Sequence, residues 1–147
     1  MANTYSFKDV AASLAGPTGS ANLGFGAAIA EEGISIDMTG DKNTMHIGAD
    51  GTPMHSLHAD KSGTVVIRVL KTSPINSILQ TMYDNQQISS TLWGQNLIIV
   101  RENQSGDVTT AQFCAFKKKP NIKYAKEADV LDWEFHAGTI DTVLGVY

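Results

Sequence analysis

The chain has 147 residues, of which 18% are charged and 42% hydrophobic, with one cysteine and a formal net charge of -4. That length suits one compact domain with its own core, so wholesale disorder is excluded, and a lone thiol excludes an internal disulfide framework or an all-cysteine metal site. The mild acidic excess disfavours sequence-specific binding to nucleic acid, which needs a localised basic surface.

No apolar run approaches the roughly 20 residues of a membrane-spanning helix. The opening Met1 to Asp9 lacks the basic-then-apolar layout of a secretory signal. A soluble protein made in a reducing compartment, with no membrane insertion, is expected. Charge is unevenly placed: residues 31–60 carry a net of -5 and residues 61–120 a net of +4. Opposite-sign segments in one small chain suit self-association.

Residues 4–14 have strand character, and Ala15-Gly16-Pro17-Thr18-Gly19-Ser20 reads as a turn. Residues 22–30 form a Gly/Ala segment. Gly33 to Met38 then alternates, with Ile34, Ile36 and Met38 on one side and Ser35 and Asp37 on the other, the period of a half-buried strand. Residues 39–61 are the least regular stretch, punctuated by Gly40, Gly48, Gly51 and Pro53 and holding three of the four histidines. So long an irregular segment in a compact domain has a job or hides a strand pair, and Met45-His46-Ile47 suits one such strand. The whole stretch is expected to be a projecting arm or extended hairpin.

Residues 64–71 are the clearest strand, dense in β-branched residues, with Val65, Ile67 and Val69 on an unbroken apolar face. Ser73-Pro74 changes the period, since serine caps a helix and proline suits its first position. Ile75, Ile78, Leu79 and Met82 follow as one helical stripe, with an end expected near Asp84-Asn85. Leu97 to Val100 is a strand apolar on both faces, interior or covered by a partner. Residues 103–107 suit a hairpin turn. The next strand, 108–116, alternates Ala111, Phe113 and Ala115 against Thr110, Gln112 and Cys114. In the last, 130–137, Leu131, Trp133, Phe135 and Ala137 face inward and Asp132, Glu134 and His136 outward. A mainly β fold follows: a two-sheet β-sandwich or barrel with one flanking helix and the arm.

Little here carries chemistry. His46, His55 and His58 with Asp50 and Asp60 make zinc conceivable, but the glycines and Pro53 argue against the helix that would align His55 with His58, so solvent-facing loop histidines are expected and no metal. Gly24-Phe25-Gly26 lacks the third glycine of a dinucleotide loop, position 29 being Ile29, and no cofactor is expected. Asp132 and Glu134 lie about 7 Å apart on one strand face, a spacing open to glycoside hydrolysis, although any solvated sheet face shows the same pair. Cys114 reads as a small buried hydrophobe. Asn103-Gln104-Ser105 fits a glycosylation acceptor only formally. Lys117-Lys118-Lys119-Pro120 is the only basic run. It lacks the aromatics of a single-strand-binding surface, and a solvated loop or a rim towards a neighbour's acidic segment fits it better.

The order of these features resembles the tail tube proteins of contractile-tailed bacteriophages. The resemblance rests on the opening residues 3–10, the turn Gly16-Pro17-Thr18-Gly19-Ser20, Gly33-Ile34-Ser35-Ile36, Asp50-Gly51-Thr52-Pro53-Met54-His55-Ser56, and the strand-then-helix run 63–84. It implies a non-enzymatic virion component, made in the host bacterial cytoplasm, whose hexameric rings stack into the inner tube through which double-stranded DNA passes. It also implies contacts with sheath, baseplate and tail terminator proteins. On that basis residues 39–61, with Asp41, Lys42, His46, Asp50, His55 and His58, would be an inter-ring arm on a single domain spanning 1–147. Asp132, Glu134 and Asp37 would be lumen-facing carboxylates, because a sliding duplex must not be trapped by lysines. Lys117, Lys118 and Lys119 would be an inter-subunit basic rim. A single-ring connector or terminator, an unrelated β-sandwich binding module, and a hydrolase built on Asp132 and Glu134 are the competing readings.

Overall fold

A computed structural model describes residues 3–146 apart from 25, 27 and 28, so Phe25, Ala27 and Ala28 of the Gly/Ala segment lie outside the described residues. Ten strands and one helix follow in the order β1 (Val10–Gly16), β2 (Gly19–Asn22), β3 (Ile29–Met38), β4 (Asn43–Ile47), β5 (Pro53–Leu57), β6 (Gly63–Leu70), α1 (Ile75–Gln86), β7 (Asn96–Glu102), β8 (Asp107–Lys118), β9 (Val130–Ala137) and β10 (Thr139–Val143). The first strand is shorter than its sequence suggests. Ser6 accepts from the Lys8 amide and closes a single 3-10 turn over Phe7–Asp9, which delays the strand to Val10.

All strand pairs are antiparallel. One sheet runs β2-β1-β7-β8-β10 and the other β8-β9-β6-β3, with the long strand β8 belonging to both. Its first half pairs with β7 and β10, and its second half pairs with β9. The sheets are therefore a sandwich joined at a bent strand. Neither closes on itself, which corrects the barrel alternative: β2 and β3 end the strand order without meeting.

The bend sits at Phe113, the only described non-glycine residue with a left-handed backbone, φ 55°. That extra residue shifts the alternation by one, as a bulge does. Ala111 points inward, Phe113 turns out to solvent, and Cys114 and Phe116 take over the core face. Strict alternation sets Phe113 on the face of Ala111 and Cys114 on the other; the bulge exchanges the two, and Cys114 is the small buried group its residue type implies. Burial in this apolar setting pushes the Cys114 thiol up to about 11, as expected for an inert packing group.

Phe116 becomes the hub of the core. Its ring centroid lies 4.6 Å from Phe135, 5.5 Å from Tyr83, 6.0 Å from Trp133 and 6.5 Å from Trp93. Around it pack Val65, Ile67 and Val69 of β6, Ile98 of β7 and Leu14 of β1. Each fully buried side chain of this kind contributes about 1.5–3 kcal/mol.

The helix lies against this core as its period requires, with two changes. Ser73 Oγ accepts from the Ile75 amide at 3.3 Å, so the serine does serve the helix start. The buried face is Ile75, Leu79, Met82 and Gln86, while Ile78 stays at the exposed rim. Gln86 extends the helix past Asp84-Asn85 because its side chain has a partner: its amide and that of Asn96 on β7 bond reciprocally, at 2.8 and 2.9 Å, both fully buried. Gln86 also donates to Thr18 in the β1–β2 turn. Further along, Asn76 accepts from the Trp133 indole at 3.0 Å and donates to the Leu70 carbonyl at 2.9 Å. Two amides thus pin the helix to both sheets.

Asn96→Leu leaves half of this buried amide pair unmatched and is expected to cost roughly 1–3 kcal/mol, whereas Gln86→Leu with Asn96→Leu restores most of it. Urea unfolding of the three proteins checks both halves of the expectation.

Candidate assembly surfaces

The outer face of the β8-β9-β6-β3 sheet is built by alternation. Along β6, Val65, Ile67 and Val69 are inside, so Thr64, Val66 and Arg68 point out; along β9, Asp132, Glu134 and His136 do the same. The register aligns them in rows, with Asp37 opposite Thr64 and His136 beyond it, Ser35 opposite Val66 and Glu134 beyond it, and Arg68 opposite Asp132. Asp37, Asp132 and Glu134 therefore share one face. Arg68 and Lys117 share it too, and Lys118 stands in register opposite Glu134. Two of these cations are engaged: Arg68 donates to Ser35 Oγ at 2.7 Å, and Lys117 pairs with Glu134 at 3.5 Å. The exposed Lys117 pair is worth little to stability.

This sheet is open at both margins. Among the described residues β3 pairs only with β6, and the second half of β8 has β9 on one side while its pairing with β7 stops at Asn96 opposite Cys114. Free main-chain groups on such edges are templates for further strands.

Residues 43–57 form the hairpin of β4 and β5, closed by the Gly48 amide donating to the Thr52 carbonyl at 2.8 Å. No layer of core lies beneath it; every residue is exposed except the half-buried Ser56. Pairing sets Met45 opposite His55, Ile47 opposite Pro53 and Asn43 opposite Leu57, so one face is largely apolar. The histidines are spent on the hairpin: His58 Nε2 bonds Thr44 at 2.7 Å and His55 Nδ1 bonds Asn43 at 3.3 Å, with His46 on the opposite face. Among the described residues no group of three or more His, Cys, Asp or Glu is disposed to hold a metal ion. Lys42 lies 3.8 Å from Asp60 at the base, and Asp41 is exposed. Two carboxylates tie the turns. Asp50 accepts from the Thr52 amide at 3.0 Å, Asp60 accepts from the Ser62 hydroxyl and from the Ser62 amide at 2.8 Å, and these bonds hold both carboxyls below the ordinary range.

Lys118 and Lys119 are exposed at the end of β8, and Pro120 beyond them is buried. The chain then runs without regular structure to β9. Lys71 at the end of β6 steadies this stretch, its ammonium donating to the Lys123 carbonyl at 3.1 Å and lying 3.8 Å from the centre of the Tyr124 ring.

One cleft of about 350 Å³ is lined by Tyr5, Phe7, Ile34 and Leu144 with two carboxylates, Glu102 and Asp107. Both acids are committed to structure: Glu102 accepts from Ser105 Oγ at 3.1 Å, and Asp107 from the Gly145 amide at 2.6 Å. What the surface offers is strand edges, one mixed-charge sheet face and an uncovered hairpin, the parts of an assembly.

Residues 1–145 match the family described as bacteriophage PhiTE tail tube protein. The chain belongs to that family. No curated protein matches the sequence. Among solved structures the fold is similar to a chain of the sheath–tube complex of an extracellular contractile injection system, PVC, in its extended state, with a TM-score of 0.63 and 10% identity over 96% of this chain and 92% of that one. It is also similar to the PVC sheath/tube terminator, with a TM-score of 0.59 and 11% identity over 97% and 98%. The tube-terminating cap of the anti-feeding prophage gives a TM-score of 0.57 and 8% identity over 99% and 95%. The phage tail-tube resemblance read in the sequence is thereby established: this is a structural tail-tube protein, not an enzyme. Asp132 and Glu134 accordingly need no reaction to explain them.

Because the Asp50 and Asp60 carboxyls are held low, their contribution is complete above the ordinary carboxylate value and is lost as pH falls through the lowered one. Acidification below about pH 4 is expected to loosen the turns of the hairpin first, seen as faster amide exchange at Thr52 and Ser62 than in β6.

Proposed function

We propose that the protein forms hexameric rings that stack into the inner tube of a contractile phage tail, the bore through which the genome leaves. The observation that carries this reading is the four-stranded sheet open at both edges in a chain of the tail tube family. Edge-to-edge pairing of the free side of β3 with the free side of the second half of β8 on the next copy continues the main-chain ladder around a ring. Six such sheets at ~4.8 Å per strand give a circumference of roughly 115 Å and a backbone bore of at least ~35 Å, wide enough for a duplex.

The outer face of that sheet then lines the bore. Asp37, Asp132 and Glu134 there balance Arg68, Lys117 and Lys118, and Arg68 and Lys117 are occupied by Ser35 and Glu134. Such a face gives phosphates little to hold, and non-specific DNA slides past it. Residues 39–61 form the arm that reaches the adjacent ring, and Lys117, Lys118 and Lys119 lie along subunit boundaries. Sheath, baseplate and terminator proteins complete the assembly in the virion tail. A single-ring terminator is the second reading, favoured by the likeness to the PVC terminator; the family match favours the tube.

Negative-stain microscopy and mass measurement of concentrated protein decide the matter. Stacked tubes are expected; single rings that never lengthen select the terminator, and a solitary particle at every concentration overturns both. Deleting residues 42–58 is expected to leave rings but no stacks, and tubes of unchanged length would overturn the role of the arm.

A further inference from the structure

Resting on the stacked-ring reading, we propose that the axial joint is a head-to-tail contact between the arm of one copy and the loop following β8 of the next copy. Charge and apolar surface are matched across it.

The two surfaces lie at opposite poles of one strand. The arm leaves β3 at Met38 and returns at Gly63, where β6 begins. At the far end of β6, Leu70 pairs with Val130, and Lys71 holds the loop at Lys123. The eight residues of β6 separate the poles by ~25 Å, whereas the five-residue strands of the hairpin reach only ~17 Å. The arm therefore cannot cover the loop of its own chain.

Their charges are opposite. Residues 41–60 hold Asp41, Asp50 and Asp60 against Lys42, a net of -2. Residues 118–129 hold Lys118, Lys119, Lys123 and Lys126 against Glu127 and Asp129, a net of +2, with Lys71 beside them. Each pole also exposes apolar surface that nothing in its own chain covers: Met45 at 52%, Ile47 at 58% and Leu57 at 89% on the arm, Ile122 at 51% and Tyr124 at 85% on the loop. Tyr124 is presented by the Lys71 ammonium over its ring. Arm against arm, or loop against loop, sets like charges face to face and is disfavoured. Arm against loop is a heterologous contact that does not close, so it propagates, and every ring points the same way.

Two variants test the joint. The first, Asp41→Lys with Asp50→Lys, makes both poles basic; the second, Lys123→Glu with Lys126→Glu, turns the loop acidic to match the arm. Each alone is expected to form rings of normal mass but no tubes. Mixed in equal amounts they are expected to elongate, because the basic arm of one meets the acidic loop of the other and the reverse contact is native in sign. Normal tubes from either variant alone, or failure of the mixture to elongate, would overturn the proposal. Absence of rings and tubes from the unaltered protein would instead overturn the stacked-ring reading beneath it.

Discussion

The bend shared by β8 and its partner is the constraint on which the rest of the molecule depends. Strands β9 and β10 are nearly one strand, running antiparallel along the whole of β8 and broken only at Gly138, whose amide donates to the Gln112 carbonyl at 3.0 Å. At the same level Phe113 adopts its left-handed backbone. A Cβ on Gly138 would stand 3.0 Å from that of Phe113, so the glycine lets the two bent strands stay in contact. With the pair bent together, no ladder is broken while the strands pass from one sheet to the other. Sheets joined through corners of this kind enclose a core between them, and Phe116, the first large side chain after the bulge, drops into its centre.

Polar pairs then give that core a single arrangement. An apolar stripe on α1 would tolerate sliding along the sheets, but the reciprocal bonds between Gln86 and Asn96, and the bracket of Asn76 between Trp133 and Leu70, permit one position. Gly16 belongs to the same device: a Cβ there would collide with the Asn96 amide. Burying these groups is tolerable only because they are mutually satisfied. The consequence reaches the surface, since α1 holds the β1–β2 turn through Thr18 and so sets where the open margins of the sandwich lie.

The sequence disclosed the elements whose period is local. The alternation of Val65, Ile67 and Val69, the stripe beginning at Ile75, and the inward Trp133 and Phe135 all stand as their spacing implies. What it hid was set by partners distant in the chain. Phe113 alternates correctly with Ala111, and only the register shift against β7, between Ile98 opposite Ala111 and Asn96 opposite Cys114, makes it the bulged residue. Thr139 to Val143 is short and polar and becomes a strand because β8 offers it an edge. Gln86 reads as a solvated helix end until Asn96, ten residues later, returns its bonds. The surfaces followed the same rule. Period placed Asp132 and Glu134 outward, but the cations beside them, Arg68 and Lys117, come from neighbouring strands and were legible only from the register.

Main-chain pairing at the margins and side-chain matching at the poles respond differently to sequence change. A ladder continued from β3 to a neighbouring β8 needs extended backbone and free N–H and C=O groups, which nearly any sequence that keeps the sandwich supplies. The fold therefore persists among structures sharing little sequence, and ring closure on this account is not what distinguishes one tube protein from another. An arm and a loop meeting through Asp50, Leu57, Lys123 and Tyr124, as proposed above, would be specified residue by residue and would change in concert without disturbing the sheets that carry them. On that proposal, selectivity among tubes would reside in residues 41–60 and 118–129, because only segments free of packing duties can vary to reject a foreign ring.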